Sequence, residues 1–311
     1  MKRSDAAPAL GYADPLYAAS LAAVGEPRLL NQSGSWILER PIPGGNARDA
    51  MGCYPLFAAK DWASLADDLP PLENDLVSLV IVTDPFGAYD EPLLRECFPD
   101  RVVPFKRHFV VDLAQPDRHW VSRHHLRNVR KAQSAVRVDV AEPATVLEDW
   151  LRLYACLVAL HRIRGIAAFS REAFERQLHV PGIRVLRATE GGSPVGMLLW
   201  YLRGDVAYYH LGAYTERGYD LKASFALFDY ALEYFPTLGI RWLDLGAEAG
   251  AAASAADGLA RFKQGWANTT RTAYLCGRVF QRKRYDELIM ATRTESFVTQ
   301  YFPTYRAGEF A

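Results

Sequence analysis

The chain has 311 residues, of which 50% are hydrophobic and 23% charged, a composition typical of a folded globular protein that excludes a disordered one. Its 36 basic and 36 acidic side chains sum to a formal net charge of zero, which gives no overall electrostatic case for nucleic-acid binding. The four cysteines are widely spaced and form no Cys-x-x-Cys pair, so we expect neither a metal site nor a disulfide framework.

The N-terminal segment MKRSDAAPALGYADP has two basic residues but no apolar run behind them, so a secretory signal is not expected. The longest clean apolar stretch, 76–82, is far shorter than the roughly 20 residues that a membrane-spanning helix needs. We therefore expect a cytoplasmic protein without a membrane span.

The first hundred residues predict a small mixed unit. Apolar runs at 34–39 and 51–57 flank the Pro- and Gly-rich turn PIPGGN, and 61–69 predicts a short acidic helix. The β-branched run LVSLVIV at 76–82 predicts a buried strand, and 99–113 predicts a second extended segment.

From residue 145 onward the signals for regular structure are stronger. TVLE at 145–148 matches a capping box, and apolar residues at helical spacing follow it as far as Gly165. The segments 183–189, 194–202 and 206–214 are separated by short turns that contain glycine, which predicts an antiparallel meander.

The last part of the chain alternates helix and strand. An apolar stripe predicts one continuous helix over 220–235, and strands are predicted at 240–248 and 270–280. Together with the meander, this order predicts an α/β fold of the mixed α+β type with a central mixed sheet.

Charge is unevenly distributed along the chain. The segment 61–100 contains ten acidic residues and one basic residue. By contrast, 118–137 contains Arg, Lys and His, 261–284 contains Arg and Lys, and neither contains an acid. If the fold brings the two basic segments together, they predict a phosphate or polyanion site; if it does not, they are two solvated faces.

Three stretches in order resemble the FemAB-like branch of the GNAT acyltransferase superfamily. They are LRNVRKA at 126–132, the strand, helix and strand from Tyr209 to Gly246, and GLARFKQGW at 258–266. The resemblance implies two GNAT-like halves, each with a mixed, largely antiparallel sheet flanked by helices. The domains it predicts are a degenerate first half over 1–117, a second half carrying the site over 118–285, and a C-terminal tail over 286–311 that packs on the body.

In that family an amine attacks an activated acyl or aminoacyl carbonyl, without a metal or a covalent intermediate. The resemblance implies no bound cofactor and an aminoacyl-tRNA or acyl-thioester donor, with aminoacyl-tRNA favoured, and a small molecule or cell-envelope precursor as the amine acceptor. An acyl-CoA or acyl-carrier-protein donor on the same fold is one alternative. A non-catalytic relative that binds tRNA or a phosphorylated glycan is another.

The junction AYTERGYDLKAS departs from the pyrophosphate-binding loop of acyl-CoA-dependent GNAT enzymes, Q/R-x-x-G-x-G/A. Gly218 is present, but Thr215 replaces the Gln or Arg, and Asp220 replaces the small residue. Because an aspartate there would repel a pyrophosphate, the departure favours a different donor.

Lys263 is the principal candidate for catalysis. It follows Phe262 and precedes Trp266 in the segment that resembles the family's FK-x-G-aromatic element. A lysine in such a poorly hydrated setting would stabilise the negative charge that develops on the donor carbonyl oxygen. We expect Lys263→Ala to abolish turnover and to leave the melting temperature nearly unchanged. The alternative is a solvated lysine on an amphipathic turn.

A phosphate clamp is predicted for the cluster Arg127, Arg130 and Lys131, with Arg261 also a phosphate-binding candidate. Arg164 is predicted to line the acceptor site. The alternatives are a solvated basic helix face for the cluster and an ordinary surface arginine at 164.

The base that accepts the amine proton is predicted to be His210, Asp244 or water. His210 lies on the central strand, where it is otherwise a hydrogen-bonded core histidine. Asp244 alternates with Trp242 and Gly246 and so could face the cleft, or it could cap a neighbouring helix. Tyr209 is expected to point to the other face and to serve in packing.

Overall fold

The computed structural model forms two compact units. The first comprises Met1–Asp14 and Arg107–Arg271, and the second comprises Pro15–Lys106 and Thr272–Ala311. The residues that the structure describes are 10–115, 117–247, 258–291 and 301–309. The predicted boundaries lie after residues 117 and 285, and the units divide elsewhere. The second unit combines one segment that precedes Arg107–Arg271 in the sequence with one that follows it.

The described strands are β1 (Glu26–Leu30), β2 (Ser35–Pro41), β3 (Arg48–Gly52), β4 (Leu76–Val82), β5 (Arg101–Asp112), β6 (Arg137–Ala141), β7 (Arg184–Glu190), β8 (Ser193–Arg203), β9 (Val206–Tyr214), β10 (Trp242–Asp244) and β11 (Thr269–Val279). The described α-helices are α1 (Pro15–Ser20), α2 (Leu65–Asp68), α3 (Glu91–Cys97), α4 (Arg123–Gln133), α5 (Leu147–His161), α6 (Arg171–Gln177), α7 (Glu216–Asp220), α8 (Ala223–Thr237), α9 (Gly258–Gln264) and α10 (Arg282–Ala291). The strand predicted at 76–82 is confirmed as β4, and the predicted meander is confirmed as β7 to β9.

In the first unit the strands lie in the order β5, β10, β9, β8, β7, β6. Every neighbouring pair is antiparallel except β10 with β9, which run parallel. Trp200 packs against Phe228 and Phe235 of α8 on one face, whereas the hydroxyl of Tyr201 donates to the Gln177 carbonyl of α6 on the other. This mostly antiparallel sheet between helices confirms the predicted fold class.

In the second unit the strands lie in the order β1, β2, β3, β4, β11, with β3 and β4 parallel and the other pairs antiparallel. Its buried core includes Ile37, Phe57 and Leu79 from the sheet side and Trp62 and Leu94 from the connecting segments. Full burial of such side chains stabilises the unit by roughly 1.5–3 kcal/mol each.

Residues near the C-terminus carry a buried ion-pair network in the second unit. Asp49 is fully buried, and Arg306 binds it with both a 2.5 Å Nε contact and a 2.9 Å Nη2 contact. The Tyr305 hydroxyl donates to the same carboxylate at 3.0 Å, and Arg40 pairs with Glu309 at 3.1 Å. These bonds fasten residues 305–309 to β2 and β3.

The helix predicted over 220–235 is divided. Thr215 caps α7 by accepting a 3.0 Å bond from the Gly218 amide, and Lys222 adopts a left-handed conformation with φ of 60° before α8 begins. A Cβ on Gly218 would lie 2.1 Å from the Val195 carbonyl oxygen, so α7 lies directly against β8. The apolar stripe predicted α8 correctly but gave no sign of this break.

The predicted capping box is wrong. The Thr145 hydroxyl donates to the Glu142 carbonyl at 2.9 Å, as part of a 3-10 turn that begins at Pro143. Helix α5 therefore begins after Val146, without a side-chain cap. It ends at His161, and the next residue, Arg162, takes the left-handed conformation three residues before the predicted stop at Gly165.

Among the described residues, none of the helices combines the length and the apolar character needed to cross a bilayer. The four cysteines are free thiols; Cys53, Cys97 and Cys276 are buried, and Cys156 is exposed.

Candidate functional site

Lys263 lies in the last turn of α9 and is only 6% exposed. Its Nζ donates a 2.7 Å hydrogen bond to the Ala247 carbonyl oxygen and lies 5.8 Å from the centre of the Tyr209 ring. A Cβ on Gly246 would come within 3.1 Å of the same Nζ, so the backbone passes directly beside the ammonium group. The lysine therefore points into the protein, among aromatic and carbonyl groups that stabilise a cation.

The pairing of β9 with β10 ends close to this lysine. The two strands pair from Val206 and Trp242 only as far as Tyr208 and Asp244. Beyond that point β9 continues along β8, while the chain after β10 stays hydrogen-bonded to β5 through Leu245. Residues 209–211 are half-buried in an otherwise buried part of β9. The two parallel strands thus separate beside Lys263.

Helices α4 and α9 are joined through His125. Its Nε2 donates to the Phe262 carbonyl at 2.9 Å, so the proton lies on Nε2 and Nδ1 accepts from the Ser122 hydroxyl at 2.6 Å. Burial lowers the pKa of His125, and the bond to the Phe262 carbonyl opposes this. A Cβ on Gly265 would lie 2.2 Å from the imidazole, so glycine is needed for this approach.

The predicted phosphate-binding and acceptor-site side chains are all exposed: Arg127, Arg130, Lys131, Arg261 and Arg164. The first three lie on α4 and the fourth on α9, and the His125 junction brings these two helices together. Arg164 follows α5, whose neighbour α6 covers the other face of the sheet. The structure therefore groups the α4 and α9 cations and separates Arg164 from them.

The later part of the basic segment 261–284 forms ion pairs, two of them with the acidic segment 61–100. Three of its arginines form ion pairs within the second unit: Arg278 with Glu73 at 3.0 Å, Arg282 with Asp100, and Arg284 with Glu287 at 3.1 Å. Two of these carboxylates belong to the acid-rich stretch 61–100. The charges of this part of the segment are thus balanced locally.

Asp244 is 2% exposed and pairs with a histidine that the sequence did not single out. His108 Nδ1 lies 2.9 Å from both carboxylate oxygens, and the Gly246 amide donates to one of them at 2.8 Å. Both side chains are buried, and both lie in the first unit. Asp244 therefore orients an imidazole, and it caps none of the helices that the structure describes.

The His108–Asp244 pair joins residues 136 positions apart. Alternation along the extended segment 99–113 could place His108 on one face of a strand, but no local pattern indicates that β5 pairs with β10. The partner of the histidine could only be found from the tertiary structure.

His210 follows Tyr209 on β9, so its side chain points to the face of the sheet opposite Lys263. Its Nδ1 lies 3.3 Å from the Tyr12 hydroxyl and its Nε2 3.2 Å from Gln177 Oε1. Burial lowers the pKa of His210 to about 3. Because both ring nitrogens are engaged away from Lys263, we do not assign the proton-accepting role to His210.

The stability of the protein is expected to fall in mild acid because of His210. Its folded pKa of about 3 lies below the unfolded value, so the unfolded chain binds the extra proton first as the pH falls. Between pH 8 and pH 5 this difference removes up to about 2 kcal/mol from the free energy of unfolding. Urea unfolding at both pH values should show a smaller loss for His210→Gln than for the wild type.

The control is His119→Gln, at a side chain that is 91% exposed, which should keep the wild-type pH dependence. Identical pH dependence in the wild type and His210→Gln would contradict the burial of a neutral imidazole at this position.

Backbone amides at the predicted pyrophosphate junction bond within the protein. The Gly218 amide donates to the Thr215 side chain, and the Tyr219 amide donates to the Thr215 carbonyl at 3.1 Å. The Leu221 amide donates to the Arg217 carbonyl at 3.0 Å. In a phosphate-binding loop such N–H groups point at the ligand, whereas here they build α7.

Among the residues that the structure describes, no group of three or more His, Cys, Asp or Glu side chains is arranged to hold a metal ion.

A sequence profile described as an acetyltransferase (GNAT) domain matches residues 121–264, the stretch that contains α4 to α9. No curated protein sequence matches the chain. The match shows a GNAT acyltransferase domain over these residues, and the architecture of the first unit agrees with it.

Several solved structures share the fold over most of the chain. FemX superposes with a TM-score of 0.66 at 11% identity, covering 91% of this chain and 95% of FemX. The C-terminal domain of a protein described as a lysylphosphatidylglycerol synthetase from Agrobacterium fabrum gives 0.61 at 15% identity, covering 89% and 91%. L-PGS from Bacillus licheniformis gives 0.56 at 15% identity, covering 94% and 98%. The predicted resemblance is confirmed in the fold.

Proposed function

We propose that the protein transfers an activated acyl group, in the favoured case an aminoacyl group from tRNA, to an amine and so forms an amide. The observation that carries the proposal is the burial of the Lys263 ammonium group where β9 and β10 separate. Attack on the donor carbonyl concentrates negative charge on its oxygen, and a fixed cation in a poorly hydrated site stabilises that charge far better than water does.

Two features support a donor other than acyl-CoA. The amides of the α7 segment are bonded internally, which leaves them unsuited to hold a pyrophosphate. The exposed cations of α4, Arg127, Arg130 and Lys131, form a surface for a phosphodiester backbone, with Arg261 on the neighbouring α9. The likeness of the fold to a protein named for making lysylphosphatidylglycerol supports aminoacyl transfer.

The donor is tested by incubating the protein with charged total tRNA and, separately, with a panel of acyl-CoAs. We expect the aminoacyl ester of tRNA to be consumed. Replacing Arg127, Arg130 and Lys131 together with glutamine should weaken tRNA binding and lower the salt-dependence slope by about 2–3, because about three phosphate contacts are lost. Filter binding at several salt concentrations measures the slope.

Arg95→Gln, at an exposed arginine of the second unit, is the control and should leave the slope unchanged. If only acyl-CoA were consumed, the donor would be a thioester and not aminoacyl-tRNA. Tight tRNA binding without consumption would leave a binding protein and contradict the proposed transferase.

A further inference from the structure

We propose that His108, oriented by Asp244, is the base that accepts the proton of the attacking amine. The proposal rests on the transferase function above and names the group that the sequence left open among His210, Asp244 and water. In it His108 contacts the acceptor amine, and Asp244 is a positioning residue that acts through His108.

The geometry of the pair selects the tautomer that a base requires. A buried carboxylate that pairs with a ring nitrogen accepts hydrogen bonds, and Nδ1 of His108 lies 2.9 Å from both oxygens of Asp244. Nδ1 therefore carries the proton, and the lone pair of Nε2 is available to accept another. After protonation the adjacent carboxylate stabilises the imidazolium ion.

The Nε2 atom of His108 is accessible. Within the described part of the chain it makes no hydrogen bond. It is also not among the fully buried side-chain nitrogens that lack a partner, which are all arginine Nε or tryptophan Nε1 atoms, so it retains contact with solvent. The His108 side chain keeps 8% exposure, against 2% for Asp244. An imidazole with one nitrogen fixed by a carboxylate and the other open is an arrangement suited to proton transfer.

The pair also lies beside the proposed oxyanion site. Asp244 is the last residue of β10, and the amide of Gly246 donates to its carboxylate. The same Gly246 is the backbone neighbour of Lys263 Nζ. Asp244 points to the face opposite Leu243, which packs in the core with α8, so Lys263 and His108 approach the end of β10 from opposite faces.

The proposed reaction balances as follows. The neutral amine nitrogen attacks the donor carbonyl carbon, and the oxygen of the resulting tetrahedral adduct takes the negative charge beside Lys263. His108 Nε2 accepts a proton from that nitrogen as the C–N bond forms. Collapse of the adduct breaks the bond to the donor's leaving oxygen or sulfur, which takes the proton from His108. The products are an amide and the free tRNA hydroxyl or thiol.

The test compares His108→Gln, His108→Ala and Asp244→Asn with the wild type in the donor-consumption assay. We expect His108→Gln to lower kcat by about 100- to 10,000-fold, the usual contribution of general base catalysis, and to remove the acid limb of the pH profile. Added imidazole should partly restore His108→Ala, while Lys263→Met should not respond to imidazole. His119→Gln is the control.

A purely structural pair would lower stability in these variants without changing the pH profile and without rescue by imidazole, and that outcome would overturn the inference while the transferase function stood. A wild-type protein that consumes no donor would overturn the proposed function itself. The tautomer is tested without any donor: ¹⁵N NMR of the wild-type imidazoles should show His108 protonated on Nδ1, and protonation on Nε2 would exclude the role.

Discussion

Replacing Lys263 with methionine is expected to lower kcat by about 100- to 1000-fold, the usual cost of removing one donor to an oxyanion. Methionine keeps most of the apolar stem, which matters because the side chain is 6% exposed. Loss of the bond from Nζ to the Ala247 carbonyl should cost about 1 kcal/mol of stability. Single-turnover kinetics with the donor found to be consumed, together with urea unfolding, measure both effects.

The burial of Lys263 changes the expectation for alanine. Lys263→Ala also removes the packed stem, so its melting temperature should fall and not stay nearly constant. Gln264→Met, at the exposed next position of α9, is the matched control and should behave as the wild type does. If Lys263→Met were folded and its kcat lay within about threefold of the wild-type value, Lys263 would not stabilise the oxyanion, since losing such a donor costs at least about 100-fold in rate.

The largest stability effect is expected at Asp49. Asp49→Ala leaves the buried Arg306 and Arg40 with Glu309 as their carboxylate partner among the described residues, and breaking a buried ion pair in this way typically costs about 3–5 kcal/mol. Urea unfolding, monitored by the fluorescence of tryptophans such as Trp62 in the second unit, is the measurement.

Glu91→Gln serves as the comparison for Asp49→Ala. It removes an exposed pair with Arg95 on α3 and should change the free energy of unfolding by no more than about 0.5 kcal/mol. If Asp49→Ala cost less than the roughly 1 kcal/mol of an ordinary hydrogen bond, the network at the C-terminus would not be what fastens residues 305–309.

Local patterns predicted the elements whose packing follows from their own periodicity. The meander of β7 to β9 has glycine-bearing turns and alternating faces, and α8 has a continuous apolar stripe, so both were predicted. The break before α8 was missed, because it depends on the close approach of Gly218 to Val195 in a different strand. The capping box failed because Pro143 starts a tighter turn that takes the Thr145 hydroxyl.

In the candidate site, too, local sequence revealed one residue and missed another. Lys263 was found because its aromatic neighbours adjoin it in the sequence, and its inward orientation agrees with that setting. His108 was missed because its significance lies in Asp244, which follows 136 residues later. Tyr209, expected to serve in packing, also lies under the ammonium group, since alternation fixes which face a strand residue occupies but not what the other elements bring to it.

The discontinuous units have a consequence for the order in which the chain acquires its structure during synthesis. Domains generally fold as units while the ribosome is still translating. Once Arg271 has emerged, every segment of the first unit is available, but the second unit still lacks β11 beyond that point and the arginine that binds Asp49. The segment synthesised earlier, Pro15–Lys106, must therefore wait for Thr272–Ala311, with its apolar surface exposed to chaperones until that second segment has been made.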